Sequence, residues 1–117
     1  MSQEEQDRRI DYIEFVVDDL GRAKEFYQAV FGWEFTDYGF HYASFNDGRM
    51  RGGFRSDLKH SPGGALIVIY STDLKGTEDK IRQSGGTIVK DAFEFPGGRR
   101  FHFTDPSGNE IAVWSDK

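Results

Sequence analysis

One strand-like segment near the start of the chain carries an acidic side chain in apolar surroundings. Residues 12–17 read Tyr-Ile-Glu-Phe-Val-Val, so that Glu14 shares one side of the strand with Tyr12. Burial among apolar groups disfavours the charged form of a carboxylate, and this suits a general base. The alternatives for Glu14 are a structural ion pair with Arg51 or Arg100, or a place at a dimer seam. Glu14 is the first candidate catalytic residue.

Histidine is the other side chain that exchanges protons near neutral pH. His102 stands between two phenylalanines in residues 101–103, and His41 stands between two rings in residues 40–42. His102 is the second candidate catalytic residue, although a histidine on a strand is more often a surface or hydrogen-bonded group. His60 falls in a turn-prone stretch and is expected to be inert. No Ser, Cys or Thr stands beside a histidine with a third orienting group, so the sequence does not support a nucleophilic triad.

The elements that position these residues occur twice. Alternating apolar residues at 12–17 lead into Asp19, whose carboxylate can cap a helix that ends at Gly32. The same order returns at 66–71, with Asp73 as the cap, and adding 54 to the first set of numbers gives the second. Three strand-like runs follow each helix, at 33–37, 40–45, 50–55, 87–89, 99–104 and 110–114.

The sequence therefore predicts an α+β fold, in which a single domain consists of two βαβββ modules at about 10–58 and 64–117. Curved mixed sheets would enclose a central cleft and carry the helices on their outer face. Because successive side chains of a strand point to opposite faces of the sheet, Ile13, Phe15 and Val17 would face the helices. The residues proposed to bind a ligand in the cleft are Tyr12, Tyr70, Arg51, Phe54, Ala112 and Trp114.

Composition excludes several classes of protein. The chain has no cysteine, which excludes disulfides and thiolate metal sites. Its net charge of −5 would repel nucleic acid. No apolar run approaches the ~20 residues that cross a bilayer, and the first residues are polar and charged. We expect a cytoplasmic protein with neither nucleic acid nor membrane as a partner.

Three motifs carry a family resemblance. They are Ile10 to Leu20 running into Phe26-Tyr27 and Phe31-Gly32-Trp33, then Ile81 to Gly86, and Phe103 to Asn109 with the sequence FTDPSGN. Together they resemble the vicinal oxygen chelate superfamily, which includes glyoxalase I, bleomycin and fosfomycin resistance proteins, and extradiol dioxygenases. The resemblance implies the paired βαβββ fold. It leaves the function open, because the superfamily contains isomerases, lyases, oxygenases and binding proteins.

The resemblance also implies where a metal would bind. Enzymes of that superfamily typically take His, Glu or Gln ligands from the first and last strand of each module. The matching positions here are Tyr12, Leu66, Ala112 and Gly52 or Gly53. A catalytic divalent cation needs about three protein ligands, so we expect no metal and no other cofactor. A rebuilt site would have to come from Glu14, His41, His102 and Glu110.

The leading hypothesis is a protein that binds a small organic molecule without a metal, as a resistance-type or regulatory module. A homodimer with pockets near the subunit seam is one arrangement compatible with it. The alternative is a glyoxalase-like lyase or isomerase that uses Glu14 or His102 for proton transfer. A purely structural module would instead fill the space between the halves with Tyr70, Phe54 and Trp114.

Overall fold

Two helices and eight strands follow one another in a computed structural model that describes residues 3–8, 10–59 and 64–117. After a short 3₁₀ helix at Gln3–Gln6, the first half contains β1 (Tyr12–Val16), α1 (Leu20–Phe31), β2 (Glu34–Asp37), β3 (Tyr42–Asn46) and β4 (Arg51–Arg55). The second half contains β5 (Ile67–Tyr70), α2 (Leu74–Gln83), β6 (Thr87–Phe95), β7 (Gly98–Thr104) and β8 (Glu110–Ser115). The expected α+β class and the βαβββ order of each half are confirmed.

Each half forms its own four-stranded mixed sheet. The strand orders are β1-β4-β3-β2 and β5-β8-β7-β6, with one parallel pair, β1 with β4 or β5 with β8, in each sheet. A helix separates the first strand of each half from the hairpins, which is the connection that a parallel pair requires. The registers place Glu14 beside Gly53 in the first sheet and Ala112 beside His102 in the second.

Both helices begin where the sequence predicts them. The carboxylate of Asp19 accepts a hydrogen bond from the backbone N–H of Arg22, and that of Asp73 accepts one from Gly76. Gly32 ends α1 with a φ of 72°, a left-handed conformation that favours glycine. None of the described helices is long and apolar enough to cross a membrane.

One hydrophobic core joins the two halves. α1 buries Phe26 and Tyr27, and the ring of Phe26 lies 6.0 Å from that of Phe103 on β7. Val17 is buried and Phe15 packs against the same core, as the alternation in the sequence predicts. The helices therefore cover one face of the sheets, and the side chains of Tyr12, Glu14 and their counterparts lie on the other.

A buried turn also ties the halves together through polar groups. In the β7–β8 turn, Asp105 accepts a hydrogen bond of 2.9 Å from the hydroxyl of Tyr27 on α1. Ser107 accepts one from the backbone N–H of Asp18, and Asn109 donates one to the carbonyl of Val16. The FTDPSGN motif thus fixes the end of β1 and the start of α1 to the second half.

Strand β6 differs from the expectation. The sequence predicts a strand at 87–89, whereas β6 continues to Phe95 and forms a long hairpin with β7 through a turn at Gly97. Its register shifts twice, so that residues 88–93 of β6 span the same length as residues 100–103 of β7. The sequence did not predict this extension, because residues 90, 91 and 94 are polar. Polar residues occur there because β6 lies at the edge of its sheet and exposes much of its length to solvent.

Candidate functional site

The faces of the two sheets that the helices do not cover carry the residues proposed from the sequence. Large side chains stay exposed there: Tyr12 is 40% and Tyr70 45% exposed. Leu66 and Val68 are exposed on the same face of the second half. We refer to these two surfaces as the open faces of the first and second sheet.

On the open face of the first sheet, two tyrosines and a glutamate form a hydrogen-bonded chain. The hydroxyls of Tyr12 and Tyr42 lie 2.6 Å apart, and the Tyr42 hydroxyl donates to Oε2 of Glu14 over 2.9 Å. Partial burial, followed by the hydrogen bonds to Tyr12 and Glu14, raises the pKa of the Tyr42 phenol above its usual range. Tyr42 therefore stays protonated and orders this chain.

Glu14 forms an ion pair, but with a partner other than the one expected. Its Oε1 accepts from Nη1 of Arg55 at 3.1 Å, rather than from Arg51 or Arg100. Arg55 also donates from Nε and Nη2 to the two oxygens of Asp57, at 2.9 and 3.0 Å. Both oxygens of Glu14 thus accept hydrogen bonds, one from Tyr42 and one from Arg55.

Gly53 leaves space for the hydroxyls of Tyr12 and Tyr42. The sequence analysis identified neither this role of Gly53 nor the position of Tyr42. A Cβ added at Gly53 would collide with the ring and hydroxyl of Tyr42 and would lie 2.9 Å from the hydroxyl of Tyr12. The signal was the glycine pair at 52 and 53 in a strand, which marks a close approach. The approaching group is a side chain of the same sheet.

On the open face of the second sheet, aromatic side chains line a cavity of about 240 Å³. Its lining residues are Val68, Phe95, Arg100 and Trp114. The ring of Trp114 contacts Tyr70 at 5.1 Å and Phe95 at 6.2 Å between centroids. The hydroxyl of Tyr70 donates a hydrogen bond to Asp116. This bond fixes the ring of Tyr70 against the ring of Trp114. Tyr70 and Trp114, both proposed from the sequence, are thus brought together.

Arg100 supplies the charge at this cavity. Its guanidinium carbon lies 5.3 Å from the ring centroid of Phe93 and 5.9 Å from that of Phe95. Such contacts hold the guanidinium plane in place by cation–π attraction. Its Nε is buried and has no hydrogen-bond partner among the described residues. The sequence interpretation considered Arg100 as a partner of Glu14 and as part of a hairpin turn, and it missed this position.

His102 lies two residues further along β7 on the same face. It is 7% exposed, and its Nδ1 lies 2.8 Å from Oε2 of Glu110 on β8. Nε2 of His102 is buried and has no partner among the described residues. The carboxylate–imidazole pair fixes the ring, an arrangement that active sites use to orient a base.

The remaining predicted site residues have different surroundings. Phe54 is fully buried in the core on the helix side, 5.7 Å from the ring of Phe15, so it does not lie on an open face. In the second sheet, Ala112 lies between Val68 and His102 on the neighbouring strands and is buried. In the first sheet, Arg51 lies beside Tyr12 in the register of β1 and β4.

The structure describes one of the other two histidines, His41. Nδ1 of His41 lies 3.3 Å from the hydroxyl of Ser56 at the end of the first sheet. His60 lies outside the described residues.

The candidates form two groups rather than one. None of the hydrogen bonds, ion pairs or ring contacts of the described residues joins the Tyr12–Tyr42–Glu14 chain to the cavity at Arg100. A further cavity, of about 390 Å³, lies beside α1. Its charged groups, Lys24 and Asp37, pair with each other at 2.7 Å. Of these two cavities, that of the second sheet combines aromatic walls with a buried polar atom, Nε of Arg100, that has no partner among the described residues.

Comparison with models of known protein families identifies the family of this chain. The model of the Glyoxalase/Bleomycin resistance protein/Dioxygenase superfamily matches residues 9–113. The chain belongs to this superfamily. The resemblance to the vicinal oxygen chelate proteins is thereby confirmed. No curated protein matches the sequence at a significant level.

Solved structures of this superfamily share the fold at low sequence identity. A glyoxalase/bleomycin resistance protein/dioxygenase family enzyme from Burkholderia phytofirmans PsJN has a TM-score of 0.80 and 16% identity, over 92% of this chain and 100% of that one. Lactoylglutathione lyase from Agrobacterium tumefaciens has a TM-score of 0.72 and 20% identity, over 92% and 93%. TioX from Micromonospora sp. ML1 has a TM-score of 0.70 and 18% identity, over 92% and 98%. At these identities the likeness shows the fold alone.

The residues at the metal positions of the superfamily do not fit a divalent cation. The hydroxyl of Tyr12 is engaged in a hydrogen bond with that of Tyr42. Leu66 and Ala112 have no metal-binding atom in their side chains, and Gly53 has no side chain. Across residues 3–8, 10–59 and 64–117, no group of three His, Cys, Asp or Glu side chains is placed to hold a metal. We therefore derive no step through a metal ion.

Proposed function

We propose that this superfamily member binds a small aromatic anion, without a metal, on the open face of its second sheet. The observation that carries the proposal is Arg100, held by Phe93 and Phe95 at a cavity with aromatic walls, with a buried Nε that lacks a partner in the described chain. A carboxylate would satisfy the guanidinium through charge-assisted hydrogen bonds. A planar ring would pack against Trp114.

The size of the cavity supports a ligand with one ring. Pockets for drug-sized molecules span about 300–1,000 Å³, and this cavity measures about 240 Å³. A benzoate-sized anion suits such a volume, whereas a large glycopeptide would have to extend beyond it. Benzoate is therefore the first probe.

Fluorescence and thermal unfolding test this proposal. Trp114 lines the cavity while Trp33 is buried in the core, so benzoate should change the emission of Trp114 alone. Trp114→Phe should abolish that change. At ~100 times its dissociation constant, benzoate should stabilise the fold by about 2.7 kcal/mol.

A matched pair of variants separates the guanidinium from its surroundings. Arg100→Gln should weaken benzoate binding at least tenfold, because the charge-assisted hydrogen bonds are lost. Arg99→Gln is the control, since Arg99 is the exposed neighbour whose side chain points to the other side of β7. Equal affinities of wild type and Arg100→Gln, or no binding of benzoate at all, would refute the proposal.

A second candidate function is proton transfer by His102 in a lyase or isomerase reaction. The observation that favours it is the 2.8 Å contact from Nδ1 of His102 to Glu110, which fixes the imidazole and leaves Nε2 without a partner among the described residues. The proton of a carbon next to a carbonyl would move to Nε2, and the electron pair would move to the carbonyl oxygen. Exchange of the C3 protons of phenylpyruvate in D₂O, followed by NMR, tests this. Exchange no faster than in buffer would refute the role.

The exposed apolar side chains of the open faces support a homodimer as a further proposal. Tyr12, Leu66, Val68 and Tyr70 are each more than a third exposed. Exposed large apolar side chains on a sheet face are a common mark of a protein–protein contact. A second copy that covers an open face would also enclose the ligand.

A further inference from the structure

Two buried polar atoms of the described chain lack a hydrogen-bond partner, and they are neighbours. They are Nε of Arg100 and Nε2 of His102, two residues apart on β7 and on the same face. A polar atom that is buried without a partner lowers stability, and native proteins leave few of them. Their coincidence beside the cavity indicates a ligand that satisfies both.

The two atoms require opposite chemistry. Glu110 is an acceptor at 2.8 Å from Nδ1 of His102, and in the tautomer that carries its proton on Nδ1, Nε2 presents a lone pair. Nε2 therefore needs a donor from the ligand. Nε of Arg100 can only donate, and it needs an acceptor.

Their spacing sets the geometry of the ligand. The Cα atoms of residues two apart on a strand are separated by roughly 6.8 Å, so Arg100 and His102 would contact well-separated groups of a ligand rather than adjacent ones. A carboxylate and a hydroxyl at opposite ends of one aromatic ring span a comparable length, whereas adjacent substituents do not. The rings of Phe93, Phe95 and Trp114 surround this stretch of the face.

We propose that the ligand is a hydroxyaryl carboxylate with its hydroxyl meta or para to the carboxylate. The carboxylate accepts from Arg100, and the phenolic hydroxyl donates to Nε2 of His102. This inference rests on the proposed function, because it places the carboxylate at Arg100. It adds a second recognition group and a ligand class.

Phe93 controls the way to His102. Its ring lies 6.0 Å from the imidazole and contacts both Lys90 and Arg100. Phe93 is carried by β6, the edge strand whose register shifts twice opposite this stretch. A small shift of this edge side chain, with the contact to Arg100 kept, would let the bound hydroxyl reach Nε2 and would leave the ladder between β7 and β8 intact.

Ligand pairs on the wild-type protein test the proposal without any substitution. We expect 4-hydroxybenzoate to bind about tenfold more tightly than 4-methoxybenzoate, which has a similar size but cannot donate. Salicylate, with its hydroxyl beside the carboxylate, should show no gain over benzoate. Equal affinities for the hydroxy and methoxy compounds, measured by calorimetry, would overturn the inference.

The His102→Asn variant then locates the effect. Asparagine can keep a donor to Glu110 in place of Nδ1 while it removes the Nε2 acceptor. The tenfold advantage of 4-hydroxybenzoate over 4-methoxybenzoate should disappear. An advantage that persists in a folded variant would show that the donor binds elsewhere.

A spectroscopic measurement remains decisive even if this variant fails to fold. The ¹⁵N shift of His102 Nε2 at pH 8 should be that of an unprotonated nitrogen, and it should change on addition of 4-hydroxybenzoate. A proton on Nε2 in the free protein would overturn the inference. If benzoate binds through Arg100 without any hydroxyl effect, only this inference fails. If neither compound binds, the proposed function fails with it.

Discussion

Replacing Tyr27 with phenylalanine removes one hydroxyl from the junction of the two halves. That hydroxyl donates over 2.9 Å to Oδ2 of Asp105, whose side chain also accepts from the backbone N–H groups of Ser107 and Asn109 and from the amide of Asn109. Tyr27 is fully buried, and Asp105 is 4% exposed. Within the described residues no cation lies within ion-pair distance of this carboxylate, so hydrogen bonds alone compensate its burial.

The size of the effect follows from this arrangement. A hydrogen bond to a charged group contributes about 1.5–3 kcal/mol, and its loss leaves a buried carboxylate with one donor fewer. The phenyl ring of the variant retains the packing of Tyr27 against Trp33, whose centroid lies 4.7 Å away. We therefore expect the free energy of unfolding to fall by about 1.5–3 kcal/mol, which lowers Tm by roughly 6–12 °C.

Urea unfolding followed by circular dichroism measures this change. The matched control is Tyr38→Phe, because Tyr38 is 65% exposed and its hydroxyl lies at the surface. The control should change stability by less than about 0.5 kcal/mol. In the presence of Asp105→Asn, the Tyr27→Phe change should cost less than it does alone.

A loss below 0.5 kcal/mol for Tyr27→Phe would refute the reasoning. It would show that the carboxylate of Asp105 is compensated without this donor. A full loss of stability that persists in the Asp105→Asn background would also contradict it, because the cost would then come from packing.

Other predictions follow from the same structure. Burial and the Asp105 carboxylate raise the pKa of Tyr27, so above pH ~10 the unfolded chain loses a proton that the folded chain keeps. Stability should fall there less steeply in Tyr27→Phe than in wild type, because Tyr42 and Tyr70, whose pKa values are also raised, still contribute. Gly53→Ala should destabilise by about 1–3 kcal/mol through its clash with Tyr42. Gly21→Ala, whose Cβ has room in α1, should stabilise by about 0.5–1 kcal/mol, and equal effects of the two would contradict the packing argument. Protein purified without chelator should hold less than ~0.2 equivalents of metal, and added Ni²⁺ or Zn²⁺ should not raise Tm, by elemental analysis and thermal scans. Light scattering should give the mass of a dimer, and Val68→Lys should shift it to that of the 13.4 kDa chain, since the charge would be buried at the seam.

Periodic features of the sequence predicted the fold. Alternation around Phe15 and the cap at Asp19 depend only on local backbone geometry, so they can be read without tertiary information. The same applies to Asp73 and to the helix end at Gly32. These signals, repeated once, were enough to predict two βαβββ halves.

Partner choice within the site was not predictable in the same way. Glu14 pairs with Arg55 because β1 and β4 are parallel neighbours in one register, and sequence alone did not fix that register. The pairing of His102 with Glu110 likewise depends on the alignment of β7 with β8. Phe54 was assigned to ligand binding, but the alternation of β4 turns it to the core while Gly53 faces outward.

The irregular pairing of β6 also affects how the protein behaves at high concentration. A straight, regular outer strand presents a row of unpaired backbone groups onto which another chain can add. The additional residues between Ile88 and Phe93 interrupt that row, and Lys90, Asp91 and Glu94 place charges along it. The outer border of the second sheet is thus a poor template for polymerisation, and concentrated solutions should resist fibril formation.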